Sequence, residues 1–194
     1  MPDVRRLLAL PTACAVMTGE AVLVLSPGSE PRALAPLDAA PVAIGWGEQR
    51  LLVATVDRVS VFTESGEHVA DRPHDNTGVV AVSQIDSQLL VGRADGSISL
   101  LATGSAEPSQ VARFSRASAS APQRMMTGPM GTLITGYSDG TLAMSDTRDG
   151  ALLARAKLHG AVVHLLMEDD TLHAATDLGD ELAWDLKVLS DDRC

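Results

Sequence analysis

One hairpin recurs along this chain about every 40 residues: an apolar strand, a tight polar turn, then a second strand with alternating side chains. The five copies are ACAVMTGEAVLVL (13–25), LLVATVDRVSVF (51–62), LLVGRADGSISLL (89–101), LITGYSDGTLAMSD (133–146) and LHAATDLGDELAWDL (172–186). Asp57, Asp95 and Asp139 head three of the turns and Gly179 stands in the fifth, at intervals of 38, 44 and 40 residues. A supersecondary unit repeated at such a period cannot bury its apolar face alone and stacks on its neighbours. Four strands in 40–45 residues is the arithmetic of a β-propeller blade.

The rest of the period fits that layout. Each hairpin is preceded by an apolar strand: VRRLLALP (4–11), PVAIGW (41–46), GVVAVSQ (78–84), QRMMTGPM (123–130) and AVVHLLMED (161–169). Continuous apolar runs are expected of inner strands buried on both faces, which places Val80 and Val163 in the core. A more polar strand follows all hairpins but the last, at 30–37, 67–72, 107–114 and 151–158, with prolines and arginines that suit an outer edge. Asp95-Gly96 and Asp139-Gly140 predict two-residue hairpin turns with positive φ at both central positions. The blades then run over about 3–38, 39–76, 77–117, 122–159 and 160–190 of one propeller domain, and SRASASAPQ (115–123) is a Ser/Ala-rich loop.

These residues resemble the WD40 repeat family. In KLHGAVVHLLMEDDTLHAATDLGDELAWDL (157–186), His159 lies where that family has a histidine before the inner strand, and Trp184-Asp185 is a literal WD pair. Residues 73–101 carry the matching His74 and the Asp95-Gly96 turn, with Leu101 near the Trp position; Ser145-Asp146 replaces Trp-Asp in the fourth repeat. The resemblance covers nearly the whole chain in period and is sparse in side chains. It implies an all-β propeller of about five four-stranded WD40-like blades of bacterial type, the last blade lacking its outer strand. It also implies a hydrogen-bonded network within blades that involves His74, Asp95, Asp139 and His159.

Composition narrows the function. The chain carries 25 Asp and Glu against 15 Lys and Arg, a net charge of −10, which opposes the clustered basic surface that nucleic acid requires. From Ser145 onward there are 11 acidic and 5 basic residues, a solvated acidic surface or a docking face for a basic partner. Only 3% of residues are aromatic, so few side chains are available to stack on sugars, bases or flat cofactors. No run approaches the roughly 18 apolar residues of a membrane span. Cys14 and Cys194 read as free thiols of a reducing, cytoplasmic compartment. The segment MPDVRRLLALPTACAV shares two arginines and a short apolar run with secretory leaders, but Asp3, Pro11 and the brevity of Leu7–Leu10 favour the strand reading.

The chemistry-bearing residues are scattered. The histidines stand singly; His164 and His173, with Asp169 or Asp170 between them, are the one pairing that neighbouring strands would bring together. Glu168-Asp169-Asp170 lacks the spacing of a calcium loop, and no nucleophile elbow or phosphate loop is present. Arg124 and His164 are the polar exceptions on the inner strands. The expectation is a non-catalytic scaffold or complex subunit with no cofactor and no metal; the alternative is a propeller hydrolase or lyase with a carboxylate or metal at its axis. In the resembling family the loops after outer strands and the second-to-third-strand turns share one rim, which here would carry Arg58, His74, Arg93, Tyr137 and His159; Arg58, Arg93 and Tyr137, with Trp184, are the candidate protein-binding anchors. The strand 181–189, with no fourth strand encoded after it, is the place where a partner would add a strand.

Overall fold

The computed structural model describes residues 3–34, 37–73, 78–85, 88–101 and 110–186. His74, Cys194 and Lys187–Leu189 of the last predicted strand lie outside them. Among the described residues, nineteen strands form five antiparallel sheets, each a meander in chain order. The first is β1 (Val4–Ala9), β2 (Cys14–Thr18), β3 (Val22–Leu25) and β4 (Arg32–Ala33). The second is β5 (Ala43–Gly47), β6 (Arg50–Ala54), β7 (Arg58–Thr63) and β8 (His68–Pro73). The third is β9 (Val79–Ile85), β10 (Gln88–Arg93), β11 (Ile98–Leu101) and β12 (Gln110–Arg113). The fourth is β13 (Pro122–Gly128), β14 (Thr132–Tyr137), β15 (Thr141–Asp146) and β16 (Leu152–Lys157). The fifth has three strands: β17 (Val162–Glu168), β18 (Thr171–Thr176) and β19 (Glu181–Asp185). The predicted inner strands all form. The first outer strand pairs with β3 through Arg32 and Ala33, and the Leu34 N–H adds a bond to the Val22 carbonyl at 2.9 Å.

The chain divides into two compact units. One holds Met1–Arg93 with Ser99–Val111; the other holds Ala94–Ile98 with Ala112–Cys194. In the first unit, one core joins the first two sheets through Ala15, Met17, Val22, Val24, Ile44, Leu51, Val53 and Phe62. A second core joins the second and third sheets through Leu52, Val59, Val61, Val79, Val82, Leu89 and Val91. In the second unit, Ile134, Leu142, Met144, Val162, Leu172 and Ala174 close the space between the fourth and fifth sheets. Central strands are buried on both faces; every residue of β14 and β15 is buried. That explains their lack of polar alternation.

Two local expectations are corrected. Val80 and Val163 are not core residues. Pairing runs from Ala81↔Gly92 directly to Val79↔Arg93, and from His164↔Ala175 directly to Val162↔Thr176. Each skipped valine is the extra residue of a β-bulge, turned out of the ladder; Val163 is 38% exposed, whereas Val162 is fully buried. Equivalent slips fall at Arg5 in β1 and Gln123 in β13. The turns also differ. Gly140 has φ 84° and its N–H bonds the Tyr137 carbonyl at 3.1 Å, while Asp139 is not among the positive-φ residues. This is a type I turn closed by a left-handed glycine, so only one central position needs a positive φ. Both central residues are left-handed instead in the two-residue turn Glu48-Gln49, at 49° and 59°.

Val162→Asp should unfold the second unit, since an unpaired buried carboxylate costs several kcal/mol against a total of about 5–15 kcal/mol. Val163→Asp should shift stability by about 0.5 kcal/mol or less. Thermal melts of the two neighbours check this; equal losses would contradict the bulge.

Candidate protein-interaction surface

The side chains named as candidate anchors prove to be committed within the fold. Tyr137 ends β14 and is 2% exposed; burial, with the Asp139 charge beside it, pushes its hydroxyl up to about 12. It cannot meet a partner, because both faces of β14 are covered. Arg58, at the start of β7, lies 3.1 Å from Asp38, 3.4 Å from Asp57 and 3.8 Å from Asp71. Arg93 donates from Nη1 to Ser99 Oγ at 2.9 Å. Trp184, on β19, is half-buried against the core of the second unit.

The turn acids act as structural fasteners, in pairings the sequence showed only in part. Asp139 accepts from the Thr141 N–H and hydroxyl, from Ser118 Oγ at 3.0 Å and from Lys157 Nζ at 2.9 Å. Burial alone would raise its pKa; the bonds from Lys157, Thr141 and Ser118 outweigh that and hold it well below the usual carboxylate range. His159 pairs not with Asp139 but with Asp180: its backbone N–H donates to Oδ2 at 2.9 Å and its ring Nδ1 lies 3.1 Å away. Sequence reasoning missed Asp180 because it follows its turn glycine, where the other acids precede theirs. Asp95 accepts from the Ser97 N–H and hydroxyl, and its carbonyl takes a bond from the Arg116 guanidinium. The 115–123 loop is therefore anchored, with Ser118 approaching Asp139 as His159 approaches Asp180.

The Ser60–Asp71–His68 cluster in the second sheet does not make a nucleophile. Asp71 Oδ1 accepts from Ser60 Oγ at 2.6 Å and lies 3.1 Å from His68 Nε2, so the carboxylate is the middle member and Ser60 is buried. A serine nucleophile needs histidine in that place. In the fifth sheet His173 faces Leu166 and lies 3.7 Å from Glu168, while His164 faces Ala175, so the two histidines do not meet. Among the described residues, no group of three or more His, Cys, Asp or Glu converges as a metal site.

What the second unit leaves uncovered is one face of its fifth sheet. Leu165, Met167, Leu182 and Trp184 turn toward the fourth sheet. The opposite face presents Leu166, 49% exposed, with His164, Glu168, Glu181, Ala183 and Asp185 around it. Leu178, in the β18–β19 turn, is 73% exposed. His164 and Glu181 make no hydrogen bond or ion pair among the described residues. β19 is thus acidic on its outward face and apolar on the face toward the fourth sheet. Among the described residues, no helix is long and apolar enough to cross a membrane.

The Asp139 fastener predicts an acid-sensitive contribution. A carboxyl whose folded pKa is depressed stabilises fully above its unfolded value of about 3.9 and loses that contribution as pH falls through the folded value. Asp139→Asn should cost about 1–2 kcal/mol at pH 7, discounted for partial exposure, and progressively less as pH falls below about 4. Urea melts across this range check it; an unchanged difference would contradict the assignment.

No protein-family model and no curated protein sequence matches the chain. Solved structures do. A chain of the mitotic checkpoint complex superposes with a TM-score of 0.71 at 17% identity, covering 96% of this chain and 68% of that one. The C-terminal WD40 domain of Sif2 gives 0.66 at 15% identity, covering 95% and 55%. The computationally designed Ika4 protein gives 0.61 at 19% identity, covering 81% and 98%. The chain thus spans about half to two thirds of the WD40 structures it resembles. Five meander sheets at the sequence period, superposing on these domains, give the chain the fold of a WD40 β-propeller with degenerate repeats and a three-stranded last blade.

Proposed function

We propose that this chain is a non-catalytic protein-interaction module, and that the open face of the fifth blade takes the partner. The observation that carries this reading is the uncovered sheet face around Leu166. An exposed apolar side chain within a polar rim suits a protein-contact position. The rim holds Glu168, Glu181 and Asp185, within a segment that carries 11 acidic and 5 basic residues from Ser145 onward. The matching partner surface is therefore an apolar patch ringed by Lys and Arg, steered by the net charge of −10. WD40 structures resembling this chain come from assemblies such as the mitotic checkpoint complex. Addition of a partner strand along β19 belongs to the same proposal, as does a soluble cytoplasmic setting without nucleic acid or membrane.

Leu166→Glu keeps an exposed position exposed and should leave the melting curve unchanged. In quantitative affinity capture from the native host, a partner held by the wild type and by Arg58→Ala should fall by about tenfold with Leu166→Glu. Equal recovery with Leu166→Glu, or a loss confined to Arg58→Ala, would contradict the proposed face.

A further inference from the structure

A second candidate surface lies in the first unit. Between the first two sheets, the β1–β2, β5–β6 and β7–β8 turns enclose a groove of about 610 Å³, within the range of small-ligand and short-peptide sites. Its lining includes Thr12, Trp46, Gln49, Arg50, Thr63 and Glu64. Trp46 is half-buried, packed on the core of the first two sheets, so an indole borders the groove on rigid support. Gln49 reaches the groove from a left-handed turn whose other residue, Glu48, is tied to Gln84 Nε2 at 2.9 Å.

The two charges in the groove differ in what they have left to offer. Glu64 is occupied: its Oε1 accepts from the Thr12 N–H at 2.5 Å and from the Thr12 hydroxyl at 2.7 Å. Arg50 makes no side-chain hydrogen bond or ion pair among the described residues. Arg50 lines the groove, and its guanidinium supplies a donor fork whose geometry matches a carboxylate. An indole beside it accepts an apolar side chain. Fixed Glu64 and a chain of net charge −10 disfavour a dianionic phosphate, and a monoanionic carboxylate meets less repulsion.

We propose that this groove binds a short peptide segment in which a glutamate or aspartate pairs with Arg50 and an adjacent apolar side chain lies on Trp46. The site is independent of the open fifth-blade face, so either can fail alone. Trp46 and Trp184 are the two tryptophans of the chain, so Trp184→Phe leaves Trp46 as the reporter. The probes are a capped Gly-Glu-Leu-Gly peptide and counterparts with glutamine or phosphoserine in place of glutamate. Trp46 emission should change saturably with the glutamate peptide. The glutamine peptide, and separately Arg50→Gln, should weaken binding about tenfold, and Arg50→Lys should weaken it less. Calorimetry on the unsubstituted chain repeats the titration without dependence on the Trp184 variant. No saturable binding in calorimetry, equal binding by Arg50→Gln, or tighter binding of the phosphoserine peptide would each overturn the proposal.

Discussion

The structure depends on how closely one blade's backbone can lie on the next. A methyl group placed on Gly45 of β5 would stand 1.9 Å from the Val82 carbonyl oxygen of β9, and one on Gly47 would stand 2.7 Å from the Gln84 nitrogen. In the second unit, a methyl on Gly136 of β14 would meet Val162 of β17 at 2.4 Å. With blades this close, the space between them is narrow, and Val, Ala and Leu fill it. The core between the second and third sheets contains no aromatic side chain. A composition with only 3% aromatic residues follows from this spacing, since close packing of small aliphatic groups recovers the dispersion contacts that larger rings would otherwise supply.

In the second unit, a further constraint holds the β14–β15 turn against the segment entering the next blade. Gly140 sits so near the Leu158 and Gly160 carbonyls that a side chain there would come within 2.1 Å and 2.6 Å of them. The polar fasteners work beside this contact: Asp139 holds Ser118 and Lys157, and Asp180 holds His159. These are charge-assisted bonds in partly covered positions, strong enough to orient a turn and accessible enough to respond to acid. They also account for the absence of a reactive constellation among these residues. Each acid already has its donors.

Much of the architecture was legible because it rests on period. Hairpins at intervals of 38, 44 and 40 residues located the blades, and apolar runs located the inner strands. The bulges were not legible, because an extra valine in VVAV or AVVH leaves the hydrophobic pattern unchanged while it shifts every later side chain. The surroundings of the candidate anchors were not legible for a related reason. Tyr137 and Arg58 have the chemistry of interface residues, yet whether they face outward depends on which strand is covered on both sides and which carboxylates fold beside it. The open fifth-blade face and the groove at Arg50 were hidden further, since the groove unites residues as distant as Thr12 and Glu64.

The close approach of blades is tested most directly by one methyl group. Gly45 is not among the glycines with positive φ, so Gly45→Ala introduces a clash with no demand on backbone conformation. Gly19→Ala is the matched control, because its new methyl would meet only the end of the Arg5 side chain, at 3.2 Å. Urea unfolding of the two variants and the wild type should show a loss of at least about 2 kcal/mol for Gly45→Ala and a change within about 0.5 kcal/mol for Gly19→Ala. Equal midpoints for Gly45→Ala and the wild type would contradict the account, because the second and third blades would then have room between them.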